Sequence, residues 1–453
     1  MANVVAQLRD WLLEKRPFRT ERLEKDAAYS SEVEDTLKAL PTDIAQQLAT
    51  LVNDLPSHPD DKAAICEALS EALSQWEENH SAANNSLTII GSPVSAVARI
   101  LTEGLADWLA EREISPVLLD WVERPIEPQD IRSKMGEIFE QGGPESEPKV
   151  AIIPNLSWCF LRTAEGLDGI DYLRDSLLSD RNQFWVLGSG QVGFQYLNCV
   201  LKLQAHCGKV VSLPDLSGKQ LRDWLMPIIE KLNIRLDEDP IQERLQNLGE
   251  EHLESSSFST LAALLEEIRT SLKSLFRDVK EDALLSSKED NGDIGFEWQD
   301  YFERLADLSD GVSTVALQLF VKSIYYEEVK GEVKEKLIDT VEASDETIED
   351  YVDLEPEPMH RIIAKLPKLP SLPKLEQSDL YILYSLLVHG DLTLEALAKS
   401  LGEERQLVND SVQIMRGKGI VEQRKDTIKV NPMHYPRLKR RLASNNFIID
   451  SPD

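Results

Sequence analysis

The 453-residue sequence has few of the features that usually identify a protein class at once. It has only four cysteines and no C-x-x-C pair, so neither a disulfide framework nor a structural zinc site is predicted. No run of about 18 apolar residues occurs, which argues against a membrane-spanning helix. Basic residues are scarce as well, since 49 lysines and arginines face 80 acidic residues. The net charge of −31 repels nucleic acid, so any DNA contact must be local.

Residues typical of enzyme active sites are also missing in any recognisable arrangement. The seven histidines are isolated, and none lies beside a nucleophile in a glycine-rich turn. Arg9, Asp10 and Glu14 interrupt the amphipathic stretch Met1–Arg16, whereas a signal peptide needs an uncharged apolar centre. We therefore expect a cytoplasmic protein with no catalytic residues and no metal site.

Short apolar runs that alternate with helix-length segments occupy the first half of the chain. This alternation is typical of a parallel β-sheet with helices on both faces. It predicts a five-stranded α/β domain at residues 81–232. The predicted strands are Leu87–Ile90, Pro116–Trp121, Val150–Pro154, Phe184–Leu187 and Val210–Leu213.

The other regions lack this alternation and are predicted to be mainly helical. We expect a helical N-terminal region at 1–80 and a helical region without strands at 233–326. An acidic and Leu-Pro-rich linker follows at 327–375, and its repeated X-Pro pairs favour an extended strap along the protein's own surface. The predicted fold is therefore multidomain and mainly α, with an α/β core.

The turn after the first predicted strand is the most informative segment. Gly91-Ser92-Pro93-Val94-Ser95 leads from an apolar strand into a helix, which is where a P-loop holds phosphates. With this turn, residues 86–232 resemble the core of an AAA or STAND-type P-loop ATPase, and 298–326 resemble its helical lid. The resemblance implies a Walker B strand at Val150–Asn155 and a sensor turn at Gly188–Gln191.

Departures from the family pattern remove the residues needed for hydrolysis. The turn has no Lys-[ST] pair to clamp the phosphates, and Pro154-Asn155 replaces the acids expected at the end of the Walker B strand. Ser313 stands where the lid of STAND proteins has a proline. No cofactor is the first expectation, and ATP or ADP bound without hydrolysis is the alternative. The candidate nucleotide contacts are Gly91, Ser92, Ser95, Gly188 and Gly190.

A second motif in the same domain predicts a different ligand. Gly188-Ser189-Gly190-Gln191-Val192-Gly193 is a G-x-G-x-x-G sequence that follows a strand and opens a helix, the context of a dinucleotide site. Asp215 could then contact a ribose. The opposing interpretation is a tight strand-to-helix turn whose glycines serve packing.

The C-terminal region, residues 376–453, predicts three helices, a β-hairpin and a final helix. This order is that of a winged helix and resembles the MarR-like type of DNA-binding domain. Its third helix begins with Glu403-Glu404, which would oppose phosphates. Its remaining surface is rich in basic residues that predict an anionic partner. These residues are Arg416, Lys418, Arg424, Lys425, Lys429, Arg437, Lys439, Arg440 and Arg441.

Three functions remain open from the sequence. We expect a non-catalytic regulatory or scaffold protein whose winged helix docks a protein partner, which could be the chain's own acidic segment Glu327–Glu357. The first alternative is a transcription regulator that binds DNA through the winged helix. The second is a dinucleotide-binding protein that uses Gly188, Gly190 and Gly193.

Overall fold

The structure is a computed structural model. It describes residues 36, 39–80, 82–119, 121, 124–125, 127–139, 149–236, 296–329, 359–424 and 426–449. The predicted N-terminal amphipathic stretch, Lys425 and most of the acidic segment lie outside the described residues. Residues 1–235 and 301–453 belong to one compact unit and 236–300 to a second. Within the described part, no helix is long and apolar enough to cross a bilayer.

A five-stranded, all-parallel sheet forms the centre of the first unit, as predicted. The strands are β1 (Ser86–Gly91), β2 (Val117–Leu118), β3 (Lys149–Ile153), β4 (Gln183–Gly190) and β5 (Lys209–Ser212). Their order in the sheet is β2-β3-β4-β1-β5, so β1 lies between β4 and β5. β4 is longer than predicted, because its backbone stays paired with β1 through Gly190. The proposed tight turn at Gly188 is therefore the end of a strand.

The described residues up to 236 also form α-helices, several of which pack on the two faces of the sheet. They are α1 (Thr42–Asp54), α2 (Pro59–Glu78), α3 (Val97–Arg99), α4 (Ala106–Ala110), α5 (Pro128–Phe139), α6 (Asp168–Ser179), α7 (Gln191–Leu201) and α8 (Gly218–Leu232). A π-helical turn, Ile100–Gly104, joins α3 to α4.

Successive side chains in each strand point to opposite faces, and each face has its own core. On one face Phe184 and Val186 of β4 pack with α2 and α3. On the other face Trp185 and Leu187 pack with α5, α6 and α7. Both faces are apolar, which explains why the strands read as continuous apolar runs in the sequence.

Residues 233–375 were predicted to be a helical region without strands followed by a linker. The structure corrects this prediction, because described residues of this region form a second sheet. After α9 (Phe296–Ser309) and α10 (Ser313–Lys322) come β7 (Ile324–Val329) and β8 (Met359–Ala364), antiparallel to each other. With β6 (Arg235–Leu236) they form a sheet in the order β6-β8-β7. Glu327 and Glu328 made β7 look like part of an acidic linker. In the structure Glu327 pairs with Arg361 of β8 at 2.7 Å.

The C-terminal region has the helices and strands predicted for a winged helix. They are α11 (Gln377–His389), β9 (Asp391–Thr393), α12 (Leu394–Leu401), α13 (Arg405–Gly417), β10 (Val421–Arg424), β11 (Thr427–Val430) and α14 (Tyr435–Ala443). The small antiparallel sheet has the order β10-β11-β9, so β9 adds a strand that the sequence did not predict. Three residues are too few to give a periodic signal.

The winged helix shares a core with the main sheet. Leu383, Leu387 and Val388 of α11 belong to the same apolar cluster as Trp185 and Leu187 of β4. The preceding Leu-Pro strap lies along this unit without regular secondary structure, and the Pro367 carbonyl accepts a 2.9 Å hydrogen bond from Arg304 Nε. The winged helix is therefore packed against the α/β region rather than tethered to it.

Candidate nucleotide site at the carboxyl edge of the sheet

The sheet order creates one place where a ligand crevice is expected. The carboxyl ends of β1 and β4 are neighbours, with Gly91 directly opposite Gly190. The helices that follow these two strands pack on opposite faces, α3 on one and α7 on the other. Open α/β sheets bind ligands at such a switch point, outside the carboxyl ends of the strands. The P-loop-like turn lies at this point.

Side chains of the turn itself fill the space beside the two glycines. A Cβ on Gly91 would collide with Ser95 Oγ and Val97 Cγ2, and a Cβ on Gly190 would lie 3.1 Å from Pro93 Cα. The turn is closed by a 2.9 Å hydrogen bond from Ser95 N–H to the Ser92 carbonyl. The structure thus brings together the predicted nucleotide contacts Gly91, Ser92, Ser95 and Gly190, but it packs them against each other.

The end of β3, where the Walker B acids were expected, is occupied by a capped turn. Asn155 Oδ1 accepts a 3.0 Å hydrogen bond from Ser157 N–H and caps the 3₁₀ helix Leu156–Cys159. The neighbouring Gly188 approaches the Pro154 carbonyl so closely that no Cβ would fit. Asn155 and Gly188 therefore serve local packing at the edge.

The end of α11 lies on the same edge. The His389 carbonyl accepts hydrogen bonds from Ser157 Oγ at 2.6 Å and from Arg124 Nη2 at 3.1 Å. Gly390 follows with φ +76°, a left-handed conformation that favours glycine and ends the helix beside Asn155. The winged helix is thus hydrogen-bonded to the turn that replaces the Walker B acids.

The His389 side chain is fully buried in this contact. Its Nε2 accepts a 3.3 Å hydrogen bond from Arg162 N–H, and its ring centroid is 4.7 Å from that of Phe160. Burial, reinforced by the nearby Arg124 and Arg162 guanidinium groups, holds the pKa of His389 well below its usual value. The imidazole is therefore neutral near pH 7. No sequence pattern indicates this role, since His389-Gly390 looks like an ordinary helix end.

The third glycine of the G-x-G-x-x-G motif also contacts the winged helix. A Cβ on Gly193 would lie 2.5 Å from the Val388 carbonyl oxygen. A dinucleotide motif uses this glycine for close packing of a helix on a strand. Here it permits the close approach of another helix, α11. Asp215, the candidate ribose contact, lies elsewhere, in a groove with Gly311 and Asp310.

The lid-like helices touch the P-loop-like turn through polar contacts. Thr314 Oγ1 donates a 2.6 Å hydrogen bond to the Val94 carbonyl, and Ser313 Oγ bonds Asp61 Oδ2 of α2 at 3.2 Å. Desolvation raises the pKa of the buried Asp61 carboxyl, an effect that His58 partly offsets. Ser313, which stands at the expected proline position, thus links α10 to α2.

The predicted basic residues do not form one open patch. Arg440 lies 3.7 Å from Asp310, and Arg437 Nη2 donates a 3.4 Å hydrogen bond to the Leu369 carbonyl in the strap. Lys429 lies opposite the buried Glu422 in the wing. Arg416, Lys418, Arg437, Arg440 and Arg441 are exposed, whereas Lys429 and Lys439 are half-buried. The backbone of Arg424 ends β10, and Lys425 lies outside the described residues.

A groove of about 880 Å³ runs between α14, the turn from α9 to α10 and the loop before α8. Lys439 and Arg440 line one side. The remaining charged residues in its lining are acidic, namely Asp215, Glu303, Asp307 and Asp310. The basic face of α14 therefore already lies beside acidic residues of its own chain.

Comparisons with known proteins show a distant structural likeness. No protein-family model matches the sequence, and no curated protein sequence is significantly similar to it. Among solved structures, the Thermotoga maritima RuvB Holliday junction branch migration motor overlaps 85% of this chain and 98% of its own at 13% identity, with a TM-score of 0.30. Cdc6p from Pyrobaculum aerophilum overlaps 87% and 96% at 12% identity, with a TM-score of 0.32. A DNA replication initiation factor overlaps 61% and 88% at 12% identity, with a TM-score of 0.25.

These proteins are what the chain is similar to, at identities and TM-scores too low to support a conclusion about its activity. The architecture is defined instead by its own strand order and register. A parallel five-stranded sheet with the Gly91 turn at the end of β1 is consistent with a P-loop core.

The contact between Gly193 and Val388 predicts the effect of adding one methyl group. Gly193→Ala should lower the free energy of unfolding by about 1–3 kcal/mol, because the backbone carbonyl of Val388 cannot move away cheaply. Gly417→Ala is the matched control, since it also lies in a helix but has nothing within 4 Å of its added Cβ. Urea unfolding measures both. An equally stable Gly193→Ala variant would contradict the packing role.

The buried His389 predicts a pH dependence of stability. Its folded-state pKa is lowered, so the unfolded chain binds a proton first as the pH falls below about 6.5. As the pH falls from 6.5 to 5.5, the free energy of unfolding of the wild type should therefore decrease relative to that of His389→Gln. The expected decrease is up to about 1.4 kcal/mol per pH unit. Urea unfolding at several pH values measures the difference. A difference that does not change with pH would show that His389 is not buried in its neutral form.

Proposed function

We propose that this chain is a non-catalytic regulatory or scaffold protein whose P-loop-like core has become a structural platform for the winged helix. One observation carries the proposal: residues of the turn and a backbone carbonyl of the winged helix pack at the carboxyl edge of the sheet, where open α/β sheets bind ligands. Ser95 and Pro93 pack beside Gly91 and Gly190, and the His389 carbonyl is bound at the end of β3.

The chemistry of the edge supports the same proposal. Phosphoryl transfer needs cations that neutralise the transferred group and carboxylates that hold Mg²⁺. The turn at Gly91 supplies neither lysine nor arginine, and the oxygen of Asn155 at the end of β3 caps a helical turn. The described residues contain no group of three or more His, Cys, Asp or Glu side chains placed to hold a metal ion.

The dinucleotide alternative is the weaker candidate. Its first two glycines are the last residues of β4, and its third makes room for α11 rather than for a pyrophosphate. Asp215 lies in the groove beside α14. ATP or ADP bound without hydrolysis would require the turn at residues 92–96 to open.

For the winged helix, a protein partner fits better than DNA. The helix that usually enters the major groove, α13, begins after Glu403 and Glu404, and both acids are exposed. Carboxylates at this end of a helix would repel the phosphates that favour it. The exposed cations of α14 lie on another element, where they can hold an acidic protein surface.

The first test is hydrolysis of ATP by the full chain at saturating Mg-ATP. We expect no phosphate release above the protein-free blank, because no residue between Gly91 and Ala98 can clamp a γ-phosphate. Turnover above about 0.1 per second would contradict the proposal if it disappears in Ser95→Pro, since enzymes typically work well above that rate. Proline removes the N–H that closes the turn, and circular dichroism would check that the variant is folded.

The second test separates a protein partner from DNA by reversing two charges. Arg440→Glu with Arg441→Glu should remove at least 90% of the captured partner in affinity purification from cell extract, because two of the three exposed cations of α14 then become acidic. The matched control is Lys202→Glu with Lys231→Glu, which changes the net charge equally at exposed positions on other elements. Quantitative mass spectrometry should find partner proteins that only the first variant loses.

Fluorescence anisotropy with duplex DNA tests the alternative, in which the winged helix binds DNA. The proposal would be overturned if wild type binds one sequence tightly, with an affinity that falls steeply with salt and is lost in the first variant. The protein would then be a transcription regulator.

A further inference from the structure

The outward face of α13 exposes two large apolar side chains. Leu407 is 58% exposed and Ile414 is 59% exposed, whereas Val408, Val412 and Met415 on the other side are buried in the core. Leu407 and Ile414 are seven residues apart, so they lie on the same side of the helix, about 10 Å from each other. A DNA-reading helix would carry polar side chains here.

The two ends of the helix differ in net charge: two acids and Arg405 lie at its start, and Arg416 and Lys418 lie at its end. Glu403 and Glu404 precede the first turn, and Lys418 is the C-terminal capping residue. All three are exposed. Leu407 and Ile414 are equidistant from the midpoint between Asp410 and Ser411, and so are Glu403 and Lys418. When the helix direction is reversed, Leu407 is thus matched with Ile414 and Glu403 with Lys418, whereas Arg405 is matched with Arg416.

We propose that α13 is a homodimer interface, in which two copies of this chain pair their α13 helices antiparallel about a twofold axis. Leu407 of each copy then packs against Ile414 of the other, and Glu403 of each copy faces Lys418 of the other. An isologous contact of this kind needs one surface that complements itself, which is the property α13 has. The inference goes beyond the proposed function, because it concerns a different element from α14.

The proposed pairing of two α13 helices is weak, because it buries a small area and brings like charges together. A helix of 13 residues is about 20 Å long, so the area that two such helices bury is at the low end for specific interfaces. The two copies also bring Asp410 close to its own equivalent near the axis, and each chain carries a net charge of −31. The exposed Glu403–Lys418 pairs add little energy but select the antiparallel direction. We therefore expect a dimer that forms reversibly at micromolar concentration.

Sedimentation equilibrium of the full chain over roughly 5–500 µM tests the proposal, because weak interfaces dissociate in this range. Wild type should show a monomer–dimer equilibrium. Leu407→Glu should weaken the dimer at least tenfold, since it places a carboxylate against Ile414 of the other copy. Leu178→Glu on α6 is the matched control, because Leu178 is 53% exposed and lies outside α13, and it should not change the equilibrium.

A charge swap distinguishes this geometry from any other contact through α13. Glu403→Lys alone and Lys418→Glu alone should each weaken the dimer, because each places like charges opposite one another twice. The double variant restores both charge pairs, and its dimer dissociation constant should be within about twofold of the wild-type value. A wild type that stays monomeric throughout, a dimer unaffected by Leu407→Glu, or a double variant as weak as the single variants would each overturn the proposal. Leu178, Glu403, Leu407 and Lys418 are all exposed, so we expect each variant to stay folded, and thermal unfolding measures this.

Discussion

The position of the His389 carbonyl oxygen is the constraint on which the arrangement of this protein depends. It accepts hydrogen bonds from Ser157 and Arg124, both of which belong to the α/β region. A buried carbonyl at a helix end has no partner within its own helix, so it must find one elsewhere or lose about 1–3 kcal/mol. The two donors satisfy it and thereby fix where α11 ends. The apolar contacts of α11 with β4 and α7 then follow from that position.

Glycine has the same physical role on both sides of this contact. Gly188 lets β4 approach the Pro154 carbonyl, and Gly193 lets α7 approach the Val388 carbonyl. A backbone carbonyl and a phosphate oxygen require the same thing of a neighbouring residue, namely the absence of a Cβ. A glycine-rich motif therefore indicates that another group comes close to the backbone, but it does not indicate whether that group is a ligand or another part of the protein. This is why the sequence pattern is compatible with a dinucleotide site and with helix packing.

The sequence predicts the main sheet well because each strand is buried on both faces and reads as an apolar run. It fails at β7, whose two glutamates hide a strand that pairs with β8, and at β9, which is too short to show periodicity. The turn at the end of β1 could be located from the sequence, since a glycine-led turn between strand and helix is a local signal, and its role as a site stays a prediction. The occupant of that edge could not be predicted. Ser157 and His389 are 232 positions apart, and nothing local to either residue indicates the other.

The 232 positions between Ser157 and His389 also determine when their contact can form during synthesis of the chain. One face of the sheet shares its core with α11, so part of this apolar face has no cover until the ribosome has made the winged helix. At about 5–20 residues per second, the interval between Ser157 and His389 is roughly 10–50 s. A nascent chain of this length therefore presents an apolar, strand-rich surface for many seconds, and shortening the chain at its C-terminal end would make that exposure permanent.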